Sequence, residues 1–291
     1  MAATSVAARR PRINYRKILS GLVVHLILSS TAVTMIFPLL WLVSTSLKHP
    51  GKQFLWPPQL IPNPVYFQNY VDLFKLAPMG VYLRNSFKIA ILNIVGTTFS
   101  SSLAAFAFAR MRFRGKGVVF SILLATMMLP GAVTIIPTFV IMRWLGWIDT
   151  HYPLFVPAFL GSAWNVFLLR QAFTSIPQEL VDAAKIDGAG FFSIYARIFV
   201  PLGMPMLTTV ALLTFLGSWN DLFGPLIYLN DQYKMTVALG LTYLRGRAGT
   251  GTGRYGIIMA GSLLGLAPTL LLYSFGQRYF MQGLARTGLK G

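Results

Sequence analysis

The sequence predicts an all-α membrane protein of six transmembrane helices, on three observations. Of its 291 residues 55% are hydrophobic and only 11% are charged, which is far oilier than a soluble domain. Six stretches free of Lys, Arg, Asp and Glu each run at least 20 residues: 18–47, 89–109, 117–142, 150–169, 198–220 and 255–277. A hydrocarbon core of roughly 30 Å takes about 20 helical residues to cross, so each stretch qualifies as a span. The third observation is where the cations sit. With the amino end inside, segments 1–17, 110–116, 170–197 and 278–291 hold 15 Lys and Arg in 66 residues, against 10 in 82 for the outer segments. This is the sense of the positive-inside rule. Six spans then put both termini in the cytoplasm: a basic segment 1–17, a membrane domain 18–277 and a tail 278–291.

Each element follows in order. The basic start (Arg9, Arg10, Arg12, Arg16, Lys17) resembles the front of a signal peptide, but the apolar run behind it spans 30 residues, where a signal core has about 7–15. It is kept as the first helix. The uncharged run 53–71 fails as a span because Pro57, Pro58, Pro62 and Pro64 forbid a regular helix, and the outer segment 48–88 is read as a loop. Arg110, Arg112, Arg114 and Lys116 form a tight basic turn between the second and third spans, read as a stop signal facing anionic lipid heads. Trp144 and Trp147 in the next turn suit a membrane interface, as do Trp41 and Trp56. Pro38, Pro130, Pro137, Pro157, Pro205 and Pro268 fall in or beside spans, where each lost backbone donor is tolerated only against protein or a water-filled path. Segment 221–254 contains "RGRAGTGTGRYG", read as a flexible linker before the last span.

Several chemistries are excluded. The net charge of +18 is explained by topology, so nucleic acid is not implied. Zero cysteines remove thiolate metal sites and disulfides. The three histidines (His25, His49, His151) are scattered, no H-E-x-x-H occurs, and no lysine is followed by Ser or Thr as in a phosphate-binding loop. The chain therefore has no catalytic residue of its own, no metal site and no ATP site. Any ATP must be bound by another chain.

Three of the seven carboxylates, Glu179, Asp182 and Asp187, cluster in the loop between the fourth and fifth spans. Ser175 followed by Gln178 has capping-box spacing, Pro177 fits a first turn, and Gly188 suits a left-handed stop, so a helix is expected over about 176–187. Leu180, Ala183, Ala184 and Asp187 would share a face at spacings of three and four. Two alanines and a glycine leave that face shallow. Acids beside anionic headgroups are unfavourable, so the acid-edged helix reads as a knob for a protein partner rather than a connector lying on lipid.

Here the residues resemble a known family. "VDAAKIDGAGFFSIYARIFVPLGMP" (181–205) resembles the EAA loop of binding-protein-dependent ABC importer permeases, with Asp182, Ala183, Ala184 and Gly188 on the motif positions and Asp182 in place of the usual Glu. "STSLK" (44–48), "AFAFARMRFRGK" (105–116), "SWNDLFGPLI" (218–227), "YGIIMAG" (255–261) and "QRYFMQGLARTGLKG" (277–291) extend the likeness to sugar-importer permeases of the maltose-permease MalG type. The resemblance implies the MetI-like permease fold in a bacterial inner membrane. It implies a coupling loop at 175–200 whose helix, with Glu179, Asp182, Ala183, Ala184, Asp187 and Gly188, docks into a groove of an ATPase dimer that carries the ATP and Mg. It also implies a second ATPase contact at the carboxyl end (Gly283, Lys290, Gly291), a second, different permease subunit, and an extracytoplasmic solute-binding protein touching the outer loops. Trp164, Asn165, Trp219 and Asn220 are candidates for a translocation path. The alternative, an ATP-independent carrier or channel, would need ionisable groups inside the spans, and the six stretches have none. Arg245, Arg247 and Arg254 would suit either an acidic sugar or the binding protein.

Overall fold

The computed structural model describes residues 15–248 and 254–288, and every regular element among them is helical. In chain order these are α1 (Tyr15–Ser46), α2 (Gln68–Leu76), α3 (Met79–Arg110), α4 (Lys116–Thr126), α5 (Gly131–Trp144), α6 (Tyr152–Phe155), α7 (Ala163–Thr174), α8 (Gln178–Ile186), α9 (Phe191–Ile194), α10 (Val200–Trp219), α11 (Phe223–Tyr228), α12 (Val237–Ala248) and α13 (Tyr255–Gly288). Short 3-10 turns at Val156–Leu160 and Gln232–Lys234 and one π turn at Tyr195–Phe199 join them.

Five helical segments are long and apolar enough to cross a membrane: Gly21–Ser46, Met79–Arg110, Tyr152–Thr174, Phe191–Trp219 and Tyr255–Ser274. The expected third span, 117–142, is instead two helices, α4 and α5, bent by 98° across a short break. Pro130 explains the break. It has no N–H to continue α4, and it steers Leu129 away from helical backbone. Counting the pair as one gives six.

Two expected loops carry helices. Segment 48–88 contains α2 and the first turns of α3, which begins at Met79, ten residues before the charge-free stretch. Arg84 and Lys88, one turn apart, lie on an exposed face of α3, so the charge count marked where the helix turns oily and not where it starts. Asn69 in α2 is fully buried and donates to Ser46 O (2.8 Å) and Lys48 O (2.9 Å), satisfying carbonyls that α1 leaves open at its end. Segment 221–254 likewise carries α11 and α12, and of the expected linker 249–253 lie outside the described residues.

Helix α3 is the spine. It packs on α7, α10, α6 and α12, and 44% of its apolar window is buried. Two separate cores hang on it. Near Met79 the core comprises Leu73, Met79, Tyr82, Phe215, Trp219 and Leu239. Near Arg110 it comprises Phe106, Leu169, Phe173, Val181, Ile194 and Phe199. A Cβ on Gly203 would come within 2.5 Å of Phe173 Cε1, so glycine lets α10 approach α7 closely at that second core. By contrast α1 has none of its apolar window buried and is left with lipid-facing or partner-facing surface.

Candidate functional site

The end of α3 that carries Arg110 meets the acidic loop, and the loop's shape begins there. Arg110 Nη1 donates to Gln178 Oε1 (2.7 Å), and Nη2 donates to the carbonyls of Phe173 (3.0 Å), Thr174 (3.4 Å) and Ile176. The guanidinium also lies over the Phe199 ring, 5.4 Å from its centre. A helix ends with carbonyls that lack partners and with partial negative charge. At the end of α7 these are met by one planar cation whose fork fits several acceptors at once. Arg110 thus ties together the ends of α3 and α7, the first residue of α8 and the π turn ahead of α10.

The neighbouring cations do the same. Arg170 Nε donates to Phe108 O (3.4 Å) with its guanidinium 4.2 Å from the Phe120 ring centre, and Lys116 Nζ donates to Met111 O (3.0 Å). Reading Arg110 and Lys116 as lipid-facing stop signals is therefore corrected: both turn inward to backbone oxygen.

Helix α8 ends as expected and begins differently. Gly188 has φ +75°, the left-handed stop, and its N–H donates to Lys185 O (3.0 Å) while Ala189 N–H donates to Ala184 O (2.8 Å). The capping box does not form. Ser175 Oγ donates back to Ala172 O (2.8 Å), and Gln178 accepts from Arg110 on Oε1 while its Nε2 donates to Asp182 Oδ1 (3.0 Å). Arg110, which has only donors, holds the start of α8 through the Gln178 side chain and caps none of its N–H groups.

Helix α8 has two faces. Val181 is buried and Ala184 is half-buried against the second core, so Ala184 does not share the open face with Ala183, contrary to the expected grouping. The open face carries Glu179, Leu180, Asp182, Ala183, Ile186 and Asp187, followed by exposed Gly188, Phe191 and Phe192. Ile186 is 86% exposed, and a Cβ on Gly188 would meet nothing within 4 Å. Asp182 is engaged locally, accepting from Gln178 and standing 4.0 Å from Lys185 Nζ. Glu179 and Asp187 have no ion pair among the described residues. The result is a rigidly anchored knob with an apolar tip and an acidic edge.

Against this geometry, a family model described as "Binding-protein-dependent transport system inner membrane component" matches residues 96–286, which span the α3 end, the knob and α13. The chain belongs to that family. It is a multi-pass inner-membrane component of a transport system. The chain is 31% identical over 262 residues to the probable ABC transporter permease protein YurM of Bacillus subtilis, covering 89% of this chain and 85% of that one. It is 32% identical over 274 residues to the lactose transport system permease protein LacG of Rhizobium radiobacter (92% and 96%). It is also 32% identical over 263 residues to the arabinooligosaccharides transport system permease protein AraQ of Halalkalibacterium halodurans (88% and 91%). Among solved structures, a bacterial ABC transporter involved in import of the acidic polysaccharide alginate has the same fold, with a TM-score of 0.81, 24% identity, and 93% and 100% coverage.

Other expected site residues of this permease are spread along the chain. Trp164 is half exposed with its ring beside Phe167, and Asn165 next to it is buried. Trp219 is 3% exposed: its ring stacks on Phe215 (5.4 Å between centres) and its Nε1 donates to Gly265 O (2.8 Å), so it is part of the chain's own core. Asn220 is exposed, with Nδ2 donating to Leu216 O (2.9 Å). Gly283 lies within α13, which continues the last span as helix to Gly288, whereas Lys290 and Gly291 lie outside the described residues.

Sequence reasoning missed a second polar hub, at the far end of α3. Asp149, with φ 58°, accepts from the N–H groups of Asn230 and Asp231 (2.9 Å each) and from Lys234 Nζ (2.6 Å), while its own N–H donates to Tyr228 O (2.8 Å). These donors, Lys234 first, hold its carboxyl well below the usual range, at about 2. The same bond raises the Lys234 ammonium, and burial lowers His151, whose Nε2 pairs with Lys234 O (2.8 Å). Asn85 in α3 closes the hub by donating to Tyr233 O (2.9 Å) and Met235 O (3.0 Å). The signal was present in "WIDT" and "LNDQYK", where turn-forming Asp and Asn flank apolar runs.

Proposed function

We propose that this permease is one of two different transmembrane subunits of an ATP-driven carbohydrate importer of the maltose-permease type. In this reading both termini and α8 are cytoplasmic, and a partner ATPase dimer binds the ATP and Mg. Solute arrives from an extracytoplasmic binding protein that touches the segments 48–88 and 221–254. Sugar is supported by the lactose and arabinooligosaccharide permeases among its relatives. An ATP-independent carrier does not fit membership of a binding-protein-dependent family.

The observation that carries the coupling role is the knob. Ile186 and Leu180 stand exposed between Glu179, Asp182 and Asp187 on a helix whose other face is locked to the bundle. Lipid headgroups would welcome neither the carboxylates nor a protruding turn, whereas a protein groove with basic edges accepts both. Ala183 and Gly188 shape the fit, and Ala184 sets the knob's height from within. Asp182 already has two local partners, so Glu179 and Asp187 carry the main acidic contacts. Gly283, Lys290 and Gly291 form a second ATPase contact. Trp164, Asn165 and Asn220 remain the translocation candidates, with Trp219 as their packed support.

ATP-driven closure of the ATPases moves α8, and Arg110 passes that movement into α3, α7 and α10 because its bonds leave the loop little independent freedom. Linkage makes this reciprocal: loaded binding protein outside must favour the closed ATPases inside. Co-purification tests the assignment. The ATPase subunits should remain bound to the wild-type permease and be lost with Ala183→Arg. Retention of the ATPases by that variant, or transport by this subunit alone, would overturn the reading.

A further inference from the structure

Between α3, α6, α10 and α11 lies a cavity of about 260 Å³, lined by Asn93, Thr214, Ser218, Asp221 and Thr236 together with apolar Ile89, Leu154 and Pro225. We propose that it is a subsite for one ring of a neutral, hydroxyl-rich solute, with the Asp221 carboxylate accepting a solute hydroxyl. The carbohydrate class rests on the proposed function; the site and its preference for a neutral ring are additional to it.

The cavity is built rather than left over. Asn93 Nδ2 donates to Leu154 O (2.9 Å) and to Ser218 Oγ (3.0 Å), which pins α3 to both neighbouring walls. Because the Ser218 oxygen accepts there, its O–H remains free to donate. Asp221 Oδ1 accepts from Gly224 N–H (3.1 Å), and Asp221 makes no ion pair among the described residues. A Cβ on Gly224 would lie 2.5 Å from Asp221 Oδ2, so glycine leaves room for the carboxylate at the cavity wall. Gly217 in α10 and Asn220 just after it are exposed, so the cavity opens on a face the chain does not cover.

Size and chemistry choose the occupant. About 260 Å³ far exceeds the roughly 30 Å³ share of a water. It falls just below the roughly 300–1,000 Å³ of drug-sized pockets, which suits one ring and not a chain. A bare cation would need several oxygen ligands closing around it, and among the described residues no cluster of three or more His, Cys, Asp or Glu exists. One carboxylate among hydroxyls and an amide instead matches a polyol. The same carboxylate, with no ion pair among the described residues, repels a uronate such as the units of an acidic polysaccharide.

The test uses the complete transporter in proteoliposomes, with ATP on the ATPase side and binding protein on the other. Probes are neutral trisaccharides of glucose, galactose or arabinose, and galacturonate and mannuronate trisaccharides. We expect uptake of a neutral probe in preference to both uronates. Asp221→Asn, which keeps the bond from Gly224, should raise half-saturation about tenfold in a transporter that still assembles with its ATPases. Ser218→Ala and Thr214→Val should each raise it severalfold, and they decide the matter if Asp221→Asn fails to assemble. Unchanged half-saturation in the assembled variants, or wild-type uptake of a uronate equal to the neutral probe, would overturn the subsite. Failure to import any carbohydrate would instead overturn the proposed function.

Discussion

Replacing Arg110 by alanine removes the clamp at its centre. The guanidinium donates to Gln178 Oε1 at 2.7 Å and Phe173 O at 3.0 Å, with Thr174 O and Ile176 O also in reach. Hydrogen bonds from a charged donor contribute about 1.5–3 kcal/mol each, so losing two good ones costs about 3–6 kcal/mol before water compensates the exposed carbonyls. With solvent at the rim, about 3 kcal/mol is a fair expectation for the local opening of α8. That corresponds to roughly a hundredfold loss of amide protection, since each 1.4 kcal/mol is tenfold. The assay is hydrogen exchange on residues 178–188 of the assembled transporter, read beside ATP hydrolysis stimulated by loaded binding protein. We expect exchange to rise by about two orders of magnitude in that segment, the second core around Leu169 to stay protected, and stimulation to disappear while basal hydrolysis remains. Arg110→Lys should fall between, because an ammonium keeps the charge without the fork. Unchanged protection together with unchanged stimulation would refute the clamp.

Two further outcomes follow from the geometry. Gly188→Val should insert and assemble the bundle normally, since no atom lies within 4 Å of its Cβ position, but the φ of +75° costs a β-branched residue about 1–2 kcal/mol and the side chain projects from the face proposed to dock, so uptake should fall at least tenfold. Asp149 has its pKa lowered from 3.8 to about 2 in the folded chain, so its contribution is complete above about pH 4 and is lost as pH falls through about 2. Asp149→Asn should therefore lower thermal stability near neutral pH and flatten the acid limb of a pH–stability curve between those values.

How much of this was legible follows from which forces act locally. The spans were visible because an oily helix must declare itself over 20 residues, and the Gly188 stop because left-handed backbone favours glycine. Helix α2 was not, because its two faces differ and no apolar run marks it. Pro130 was noticed, but the 98° turn it permits depends on how α4 and α5 pack. Arg110 was misassigned for a deeper reason. A cation at the end of an apolar helix looks the same in sequence whether it meets a phosphate or three carbonyls 63 to 66 residues away. The burial of Ala184 beside exposed Ala183 similarly depends on which side of α8 the second core occupies. Asp221 stands one residue beyond the fifth charge-free stretch, where charge patterning makes it an ordinary span boundary, although it lines the polar cavity beside α3.

The central claim is that the open face of α8 meets an ATPase on the cytoplasmic side. The chain has no cysteine, so Ile186→Cys introduces a unique thiol on a side chain that is 86% exposed. In membranes containing the whole transporter, that thiol should resist a membrane-impermeant maleimide added outside and cross-link to a cysteine in the ATPase groove, with a yield that changes on adding ATP. Labelling from outside, or no cross-link to the ATPase in any nucleotide state, would contradict the account.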